Sequence, residues 1–306
     1  MNLTQLIRPS FLYRRVLDWL IRRNPEFSFV RRRLLAFSAA QKCDRDEHYW
    51  AQVLRMNAHF LDKGICRPDS EPGHAEQPYQ AAKDALTHIS HKRLLLDPSL
   101  QWACTVISHY ENLQLGGHFQ PPILDPALPP ETPEVLRSLI LGRRSARWFS
   151  EQPVTESTLR EIVSVVNWAP SSCNRQPVAI FASVQPETVT KCVASCKGAT
   201  GFGAFIPCFI AFCADLRTYA LPEEAWMPFI DVALGVQNCC LMAHTLGASL
   251  TLLNWAHHSD EEEDSLRAAL QITRAYEIVV NAVLGYPKHG IEPPLRKTED
   301  STLFVR

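Results

Sequence analysis

The chain has 306 residues, a net charge of -1, 46% hydrophobic residues and 21% charged residues. That is enough for one sizeable core plus an extension, and too apolar for a disordered chain. The near-neutral balance excludes a general nucleic-acid binder, which needs a basic excess to meet phosphates.

The charge is nevertheless uneven. Residues 1–33 carry Arg8, Arg14, Arg15, Arg22, Arg23, Arg31, Arg32 and Arg33 against only Asp18 and Glu26, with Leu12, Val16, Leu17, Trp19, Leu20 and Ile21 between them. A basic amphipathic helix lying on an anionic membrane has this pattern. A helix packed on its own protein with a solvated Arg face has it too, and that commoner case is preferred. The first residues lack the apolar core and small-residue cleavage site of a signal peptide. Ten cysteines are present, but none fits zinc spacing: Cys192 and Cys196 have no second Cys or His pair beside them, and Cys208, Cys213, Cys239 and Cys240 lie in apolar runs. They read as reduced, buried thiols of a cytoplasmic protein, with no metal site.

Residues 1–114 read as a helical extension. Residues 53–63 are amphipathic through Val53, Leu54, Met56, Phe60 and Leu61, with Gly64 as the expected C-cap. Residues 67–73 form a Pro- and Gly-bearing loop, and 80–89 and 101–110 are further helices. Residues 115–130 hold Gly116, Gly117, Pro121, Pro122, Pro126, Pro129 and Pro130, a linker by proline density. A main domain then spans 131–306. Thr132, Pro133 and Glu134 read as N-cap, first-turn proline and first-turn acid, followed by an apolar stripe of Val135, Leu136, Leu139 and Ile140 up to Gly142. A helix after Thr155 carries Leu159, Ile162, Val163 and Val166 on one face. Strands are expected at 178–184, 205–214, 248–255 and 276–284, and helices at 226–246 and 261–270, the former apolar nearly all round and so enclosed. Residues 232–256 are almost uncharged, but Gln237, Asn238, His244, Gly247, Ser249, Thr251 and Asn254 favour a buried helix, turn and strand over one membrane span. Alternating helices and strands imply an α/β or α+β arrangement around one sheet.

Three clusters carry chemistry. Arg143, Arg144, Ser145, Arg147 and Phe149 follow a helix directly, and guanidinium forks beside a hydroxyl suit phosphate oxygens. Ala169, Pro170, Ser171, Ser172, Asn174, Gln176 and Pro177 bring hydroxyls and amides together on a short loop able to hydrogen-bond a polar heterocycle. Gly285, Tyr286 and Pro287 end the last strand, with Arg296 and Lys297 beyond. Taken singly, each reads first as an ordinary turn.

In this order and at these separations the three clusters resemble the nitroreductase family. An Arg-Arg-Ser-x-Arg-x-Phe element is matched at 143–149 and an Ala-Pro-Ser-x-x-Asn-x-Gln-Pro element at 169–177. Asp231, Gln237 and Asn238 fall on the long helix, and a Leu-Gly-Tyr-Pro ending at 284–287 precedes Arg296. The resemblance covers about residues 131–306. It implies an α+β, nitroreductase-like fold with a central, mostly antiparallel sheet flanked by helices, dimeric, with FMN at the subunit interface. By position it implies that Arg143, Arg144 and Ser145 bind the phosphate and ribityl chain, that Arg147 holds the pyrimidine side of the ring, and that Arg296 and Lys297 reach the phosphate. Pro170, Ser171, Ser172, Asn174 and Gln176 would meet the isoalloxazine from the partner subunit. Backbone groups at Leu252, Leu253 and Asn254 would sit near flavin N5, so that no side chain is catalytic and the cofactor carries the chemistry.

The chain also departs from the family pattern. The acidic-Gly pair of simple nitroreductases is replaced by Leu252, Leu253, Asn254 and Trp255. Residues 59–65 resemble a His-x-Leu-Glu-Lys-Gly-Leu element of nitroreductase-like proteins with a helical N-terminal extension. His59 and Lys63 share one helix face and read first as structural contacts; with Trp255 they are the candidate substrate-contacting side chains. The expected activity is NAD(P)H-driven reduction of a small electrophilic acceptor of nitro, quinone or enone type, and no Gly-x-Gly-x-x-Gly nucleotide fingerprint is present. Two alternatives stand beside it: an FMN-dependent dehydrogenase or oxidase acting on a biosynthetic intermediate, and a non-catalytic flavin-binding scaffold.

Overall fold

The computed structural model describes residues 35–67, 69–120, 128–219, 224–256 and 258–305. The basic segment at residues 1–33 and most of the proline run at 121–130 lie outside these. Helix α1 (Glu47–Ile65) starts one and a half turns earlier than apolar periodicity alone indicates, because Asp46 caps it by accepting from the backbone N–H of His48 at 3.0 Å and of Tyr49 at 3.1 Å. It also runs through Gly64 to Ile65, with Cys66 as the C-cap. Gly64 is therefore not a left-handed cap. A Cβ there would sit 2.4 Å from His74 Nε2, so glycine is needed for close packing.

Helices α2 (Glu76–Thr87), α3 (His91–Leu96) and α4 (Pro98–Gln114) follow. Asp97 caps α4 by accepting from Ser99 N–H at 3.0 Å, and Pro98 stands in the first turn, where its missing N–H is harmless. These helices enclose a core of their own: Leu54, Ala58, Leu61, Leu100, Ala103, Val106 and Tyr110 are buried together. Each fully buried leucine contributes about 1.5–3 kcal/mol.

The second part begins with α5 (Thr132–Gly142), whose cap is Glu131 without a side-chain bond, so Thr132 lies inside the helix and is not the hydroxyl cap expected. Its apolar stripe is not buried in this chain: Val135, Leu136, Ile140 and Leu141 are all exposed. Helix α6 (Glu156–Val163) is capped by Thr155 through Thr158 N–H at 3.1 Å. Strands β1 (Val178–Ser183), β2 (Cys208–Asp215), β3 (Ser249–Leu253) and β4 (Tyr276–Gly285) form one sheet in the order β1-β2-β4-β3, every pair antiparallel. Strand β2 is central and buried on both faces, which its unbroken apolar run anticipates. Cys208, Ile210, Phe212 and Ala214 face a layer containing α6 and α8 (Met227–Thr245). Phe209, Ala211 and Cys213 face the opposite layer of α7 (Pro186–Ala194) and α9 (Asp260–Leu270). Helix α8 is enclosed except along one side, where Ile230 and Leu234 are exposed. Among the described residues no helix is long and apolar enough to cross a membrane.

The extension is joined to the sheet by a buried polar network. Gln52 of α1 donates to Asp215 Oδ2 at 2.8 Å and accepts from Thr218 Oγ1 at 3.0 Å. Arg217 donates to both Asp215 oxygens, at 2.9 and 2.6 Å, to Asp44 O at 2.6 Å, and pairs with Asp46 at 3.1 Å. The end of β2 and the start of α1 thus share one guanidinium. An Arg217→Met substitution removes it and leaves Asp215 buried without its counter-ion; a stability loss of about 3–5 kcal/mol is expected by urea denaturation. Retention of wild-type stability would show that the joint does not depend on this ion pair.

Candidate functional site

Strand β3 holds the first cluster in place through two hydroxyls on one face. Ser249 Oγ accepts from Ala146 N–H at 2.9 Å and donates to Arg144 O at 2.9 Å, and Thr251 Oγ1 donates to Ala146 O at 2.8 Å. Further along, Ser150 N–H donates to Tyr286 O at 2.8 Å and Lys288 N–H to Trp148 O at 3.0 Å, so residues 148–150 run beside the Gly-Tyr-Pro turn. The segment is tied at both ends. Arg143, Ser145 and Arg147 then line a cavity of about 230 Å3 together with Gln237, Cys240, Leu250, Thr251 and Leu252. Among the described residues no carboxylate lines it, and neither Arg143 nor Arg147 has an ion-pair partner. Arg144 lies apart: its Nη1 turns back to Leu141 O at 2.6 Å and Arg143 O at 2.9 Å, and its buried Nε has no acceptor. Burial pushes the Cys240 thiol up to about 11, so it stays protonated at neutral pH and is no nucleophile.

The floor of this cavity needs glycine at position 198. A Cβ there would lie 2.3 Å from the backbone nitrogen of Asn254 and 3.0 Å from the Cα of Leu253. The backbone at 253–254 is therefore pressed against residue 198. Leu252 is half-exposed at the cavity, Leu253 is buried, and Asn254 Oδ1 accepts from Ala256 N–H at 2.9 Å.

The second cluster is a strained loop. Cys173, Asn174 and Gln176 have φ of 52°, 52° and 51°, in the left-handed region that costs non-glycine residues energy and is least costly for Asn. The bonds that impose it converge from three sides. Within the loop, Ser171 Oγ accepts from Gln176 N–H at 3.0 Å. From α8, Asp231 Oδ1 accepts from Ser172 N–H at 2.9 Å while its Oδ2 accepts from Tyr219 Oη at 2.6 Å. Burial, the Asp231 bond and the Asp231 charge all raise the Tyr219 hydroxyl, keeping it protonated. Arg175 is buried, donates to Ser172 O and Oγ, and pairs with Glu224. From the extension, Arg55 Nε donates to Arg175 O at 3.2 Å.

Within one chain the loop does not share the cavity of Arg143 and Arg147. Pro170, Asn174 and Gln176 line a different cavity, of about 1120 Å3, between β1 and the extension, where His48, Gln52, Arg55 and Trp102 form the facing wall. Arg296 and Lys297 are exposed on the tail and line neither cavity. His59 lies one turn beyond Arg55 on α1, half-buried, with burial and then the Lys63 charge lowering its pKa; Lys63 is exposed. Neither lines the large cavity. Trp255 is 8% exposed, packed in the α7–α9 layer and stacked on His258 at 4.0 Å, so its indole faces neither cavity. Sequence reasoning missed Gln52 and Arg55. Their signal was polar residues at helical spacing, 48, 52 and 55, on a face otherwise made of Ala51, Leu54 and Ala58. It also left Ser249 unassigned and gave Thr251 no tying role, though hydroxyls two apart on a strand point to one side.

Residues 140–286 match the model of the Nitroreductase family. An Archaeoglobus fulgidus protein provisionally named NADH dehydrogenase/NAD(P)H nitroreductase is 28% identical over 153 residues, 49% of this chain and 84% of that protein. The Bacillus subtilis FMN reductase [NAD(P)H] is 30% identical over 160 residues, 52% of this chain and 58% of that protein. Among solved structures, an FMN-dependent nitroreductase from Clostridium difficile R20291 superposes with a TM-score of 0.47 at 19% identity, covering 55% of this chain and 98% of that one.

Replacing Ser249 by Ala leaves Ala146 N–H and Arg144 O without their buried partner, an expected loss of about 1–3 kcal/mol by thermal or urea unfolding. An unchanged midpoint would mean that the 143–147 segment is held by something else. A pH effect is expected at Glu263. Burial raises its carboxyl, but hydrogen bonds from His258 and Arg267 outweigh that and hold it at about 2, below the ordinary 4.5. A depressed carboxylate contributes stability above 4.5 that is lost as pH falls toward 2. Unfolding free energy should therefore fall across that window, and less steeply in Glu263→Gln.

Proposed function

We propose that this chain, whose residues 140–286 form a nitroreductase-family domain, is an FMN-dependent oxidoreductase that draws electrons from NAD(P)H and reduces a small electrophilic acceptor. The observation that carries this reading is the pair of arginines, Arg143 and Arg147, unpaired among the described residues and facing a carboxylate-free cavity beside Ser145. Two guanidinium groups and a hydroxyl without a counter-ion among the described residues fit a phosphate-bearing ligand. The donor set agrees with the group: Arg143, Arg147, Ser145 and the Gln237 amide line one cavity.

When bound, FMN would supply two-electron transfer between a reduced nicotinamide and the acceptor. The protein's own part is binding and orientation. Arg143, Ser145 and Arg147 would take the anionic end, Gln237 offers an amide to a polar edge, and the packed backbone at 253–254 fixes the wall beyond Leu252.

One chain offers only part of such a site. The cavity of about 230 Å3 is smaller than the roughly 300–1,000 Å3 usual for a site that encloses a ligand of this size. The exposed stripe of Val135, Leu136, Ile140 and Leu141 on α5 and the exposed Ile230 and Leu234 on α8 favour a homodimer that covers them and brings the partner's 169–177 loop to the cofactor. A second reading, oxidation of a larger substrate by the same flavin, draws on the 1120 Å3 cavity beside that loop.

The visible absorption spectrum of the purified protein tests the assignment, followed by anaerobic addition of NADPH or NADH. A flavin spectrum that bleaches with nicotinamide is expected. A colourless protein that does not take up FMN on titration would sink both readings, and a bound flavin inert to both nicotinamides would favour the second. Arg143→Ala should weaken FMN binding by about 1.5–3 kcal/mol, roughly ten- to hundredfold in Kd. Leu234→Asp should shift the protein from dimer to monomer by light scattering and release the flavin. A monomeric wild-type protein with full FMN occupancy would remove the interface argument.

A further inference from the structure

The large cavity between α1, α4 and β1 has no part in the phosphate site, and its chemistry differs from it. Its central cation is Arg55, which is 7% exposed. Buried guanidinium groups are ordinarily matched by a hydrogen-bonded carboxylate. Arg55 is not: Nε donates to the carbonyl of Arg175 at 3.2 Å and Nη1 to Ser99 Oγ at 3.2 Å, both neutral acceptors. The nearest carboxylate, Asp97, is 3.8 Å away through Oδ2, while its Oδ1 is occupied by Ser99 N–H at 3.0 Å and Ser99 Oγ at 2.6 Å. Nη2 has no acceptor among the described residues. Desolvation outweighs the Asp97 attraction and lowers the Arg55 pKa to about 10, as a charge short of a partner should behave.

The other charges lining the space do not supply that partner. Asp215 is engaged by Arg217 through both oxygens and by Gln52. Arg93 donates from Nη2 to His48 Nδ1 at 3.0 Å and lies 3.8 Å from Glu47, adding a second cation. Desolvation and the Arg93 charge lower the His48 pKa, so its ring is neutral and, with Nδ1 accepting, presents Nε2–H. Aromatic side chains also line the wall, Trp102 from α4, Phe181 from β1 and Tyr276 from β4, together with the amides of Asn167, Asn174 and Gln176.

We propose that this cavity is a binding site for an aromatic compound of two or more rings that carries an anionic oxygen group, with the anion on Arg55 and the rings between Trp102 and Phe181. The phosphate cavity of Arg143 and Arg147 shares no lining residue with this site, which only the second of the two flavin readings would use. Its position behind the 169–177 loop gives the extension a function: the Arg55 side chain that would take the anion also donates to Arg175 O of that loop. A carboxylate and a phosphate monoester share the recognition chemistry, and the probes separate them.

The test uses the full-length protein, with FMN occupancy recorded in each sample from its spectrum. Equilibrium dialysis compares 2-naphthoate, neutral 2-naphthamide and 2-naphthyl phosphate. Naphthoate should bind about tenfold or more tightly than naphthamide, since only the anion gains a charge-assisted bond. Arg55→Gln should bring the two within about twofold, and Trp102→Ala should weaken both alike. Tighter binding of the phosphate than of naphthoate, abolished by Arg55→Gln, supports the site with a phosphate ester as its ligand. Should Arg55→Gln fail to fold by circular dichroism, Arg55→Lys decides the matter: it keeps the charge and loses the planar fork, so naphthoate should bind more weakly than to wild type while remaining preferred over naphthamide. Equal binding of naphthoate and naphthamide, no binding of either, an undiminished preference in Arg55→Gln, or naphthoate affinity unchanged in Arg55→Lys would overturn the proposal. Naphthoate binding by a protein that takes up no FMN would uphold this site and sink the flavin assignment, so the two failures are distinct.

Discussion

Three non-glycine residues at positive φ within four positions make the 169–177 loop costly to hold, and the surrounding structure is organised to hold it. Asp231 fixes its start from α8, Arg175 folds into its own interior, and Arg55 grips its carbonyl from the extension. Each of these groups is buried, so each bond acts in a medium where an unmade partner is expensive. The loop is therefore a wall of the large cavity that is held from α8, from its own interior and from the extension. Strain concentrated where hydroxyls and amides gather is what a binding wall requires, because the polar groups must be placed before the ligand arrives.

The arginine cavity is made by a different device. Two hydroxyls of β3 tie the backbone of residues 144–146 to the sheet edge, which leaves the Arg143 and Arg147 side chains free to project. The segment needs no regular structure of its own, since Ser249 and Thr251 satisfy its buried polar backbone groups. Antiparallel pairing of β3 with β4 fixes where those hydroxyls fall. The placing of Arg143 and Arg147 at one cavity thus depends on sheet register as well as on residue type.

The extension is a folded unit with its own core, and it is also structurally committed to the sheet. Gln52 and Arg55 of α1 and its cap Asp46 reach Asp215, Arg175 and Arg217, so the packing of α1 and the position of the loop are linked. A minimal domain lacking these helices would expose the end of β2 and leave the Asp215–Arg217 pair in water, where such pairs contribute little.

Local chemistry made much of this legible in advance. The capped helices, the central apolar strand and the ordered Arg-Ser, Pro-Ser-Asn and Gly-Tyr-Pro clusters all follow from residue type and spacing, because caps, turns and periodic faces depend on neighbours a few positions apart. The start of α1 and the role of Gly64 were misjudged for the same reason: an Asp cap and a histidine ten residues away outweigh apolar periodicity. The large cavity, the unmatched charge of Arg55 and the withdrawal of Trp255 into the core were not visible. They depend on which groups from positions 55, 97, 175 and 215 meet in space, and a single sequence carries no record of that meeting. Sequence by itself determined the strands, their helices and a segment dense in arginine after the first helix of the domain, since these rest on local preference. Only the tertiary structure decided that, among the described residues, two arginines at one cavity have no ion-pair partner and one is under-compensated at another, since a charge's need for a partner is set by everything packed around it.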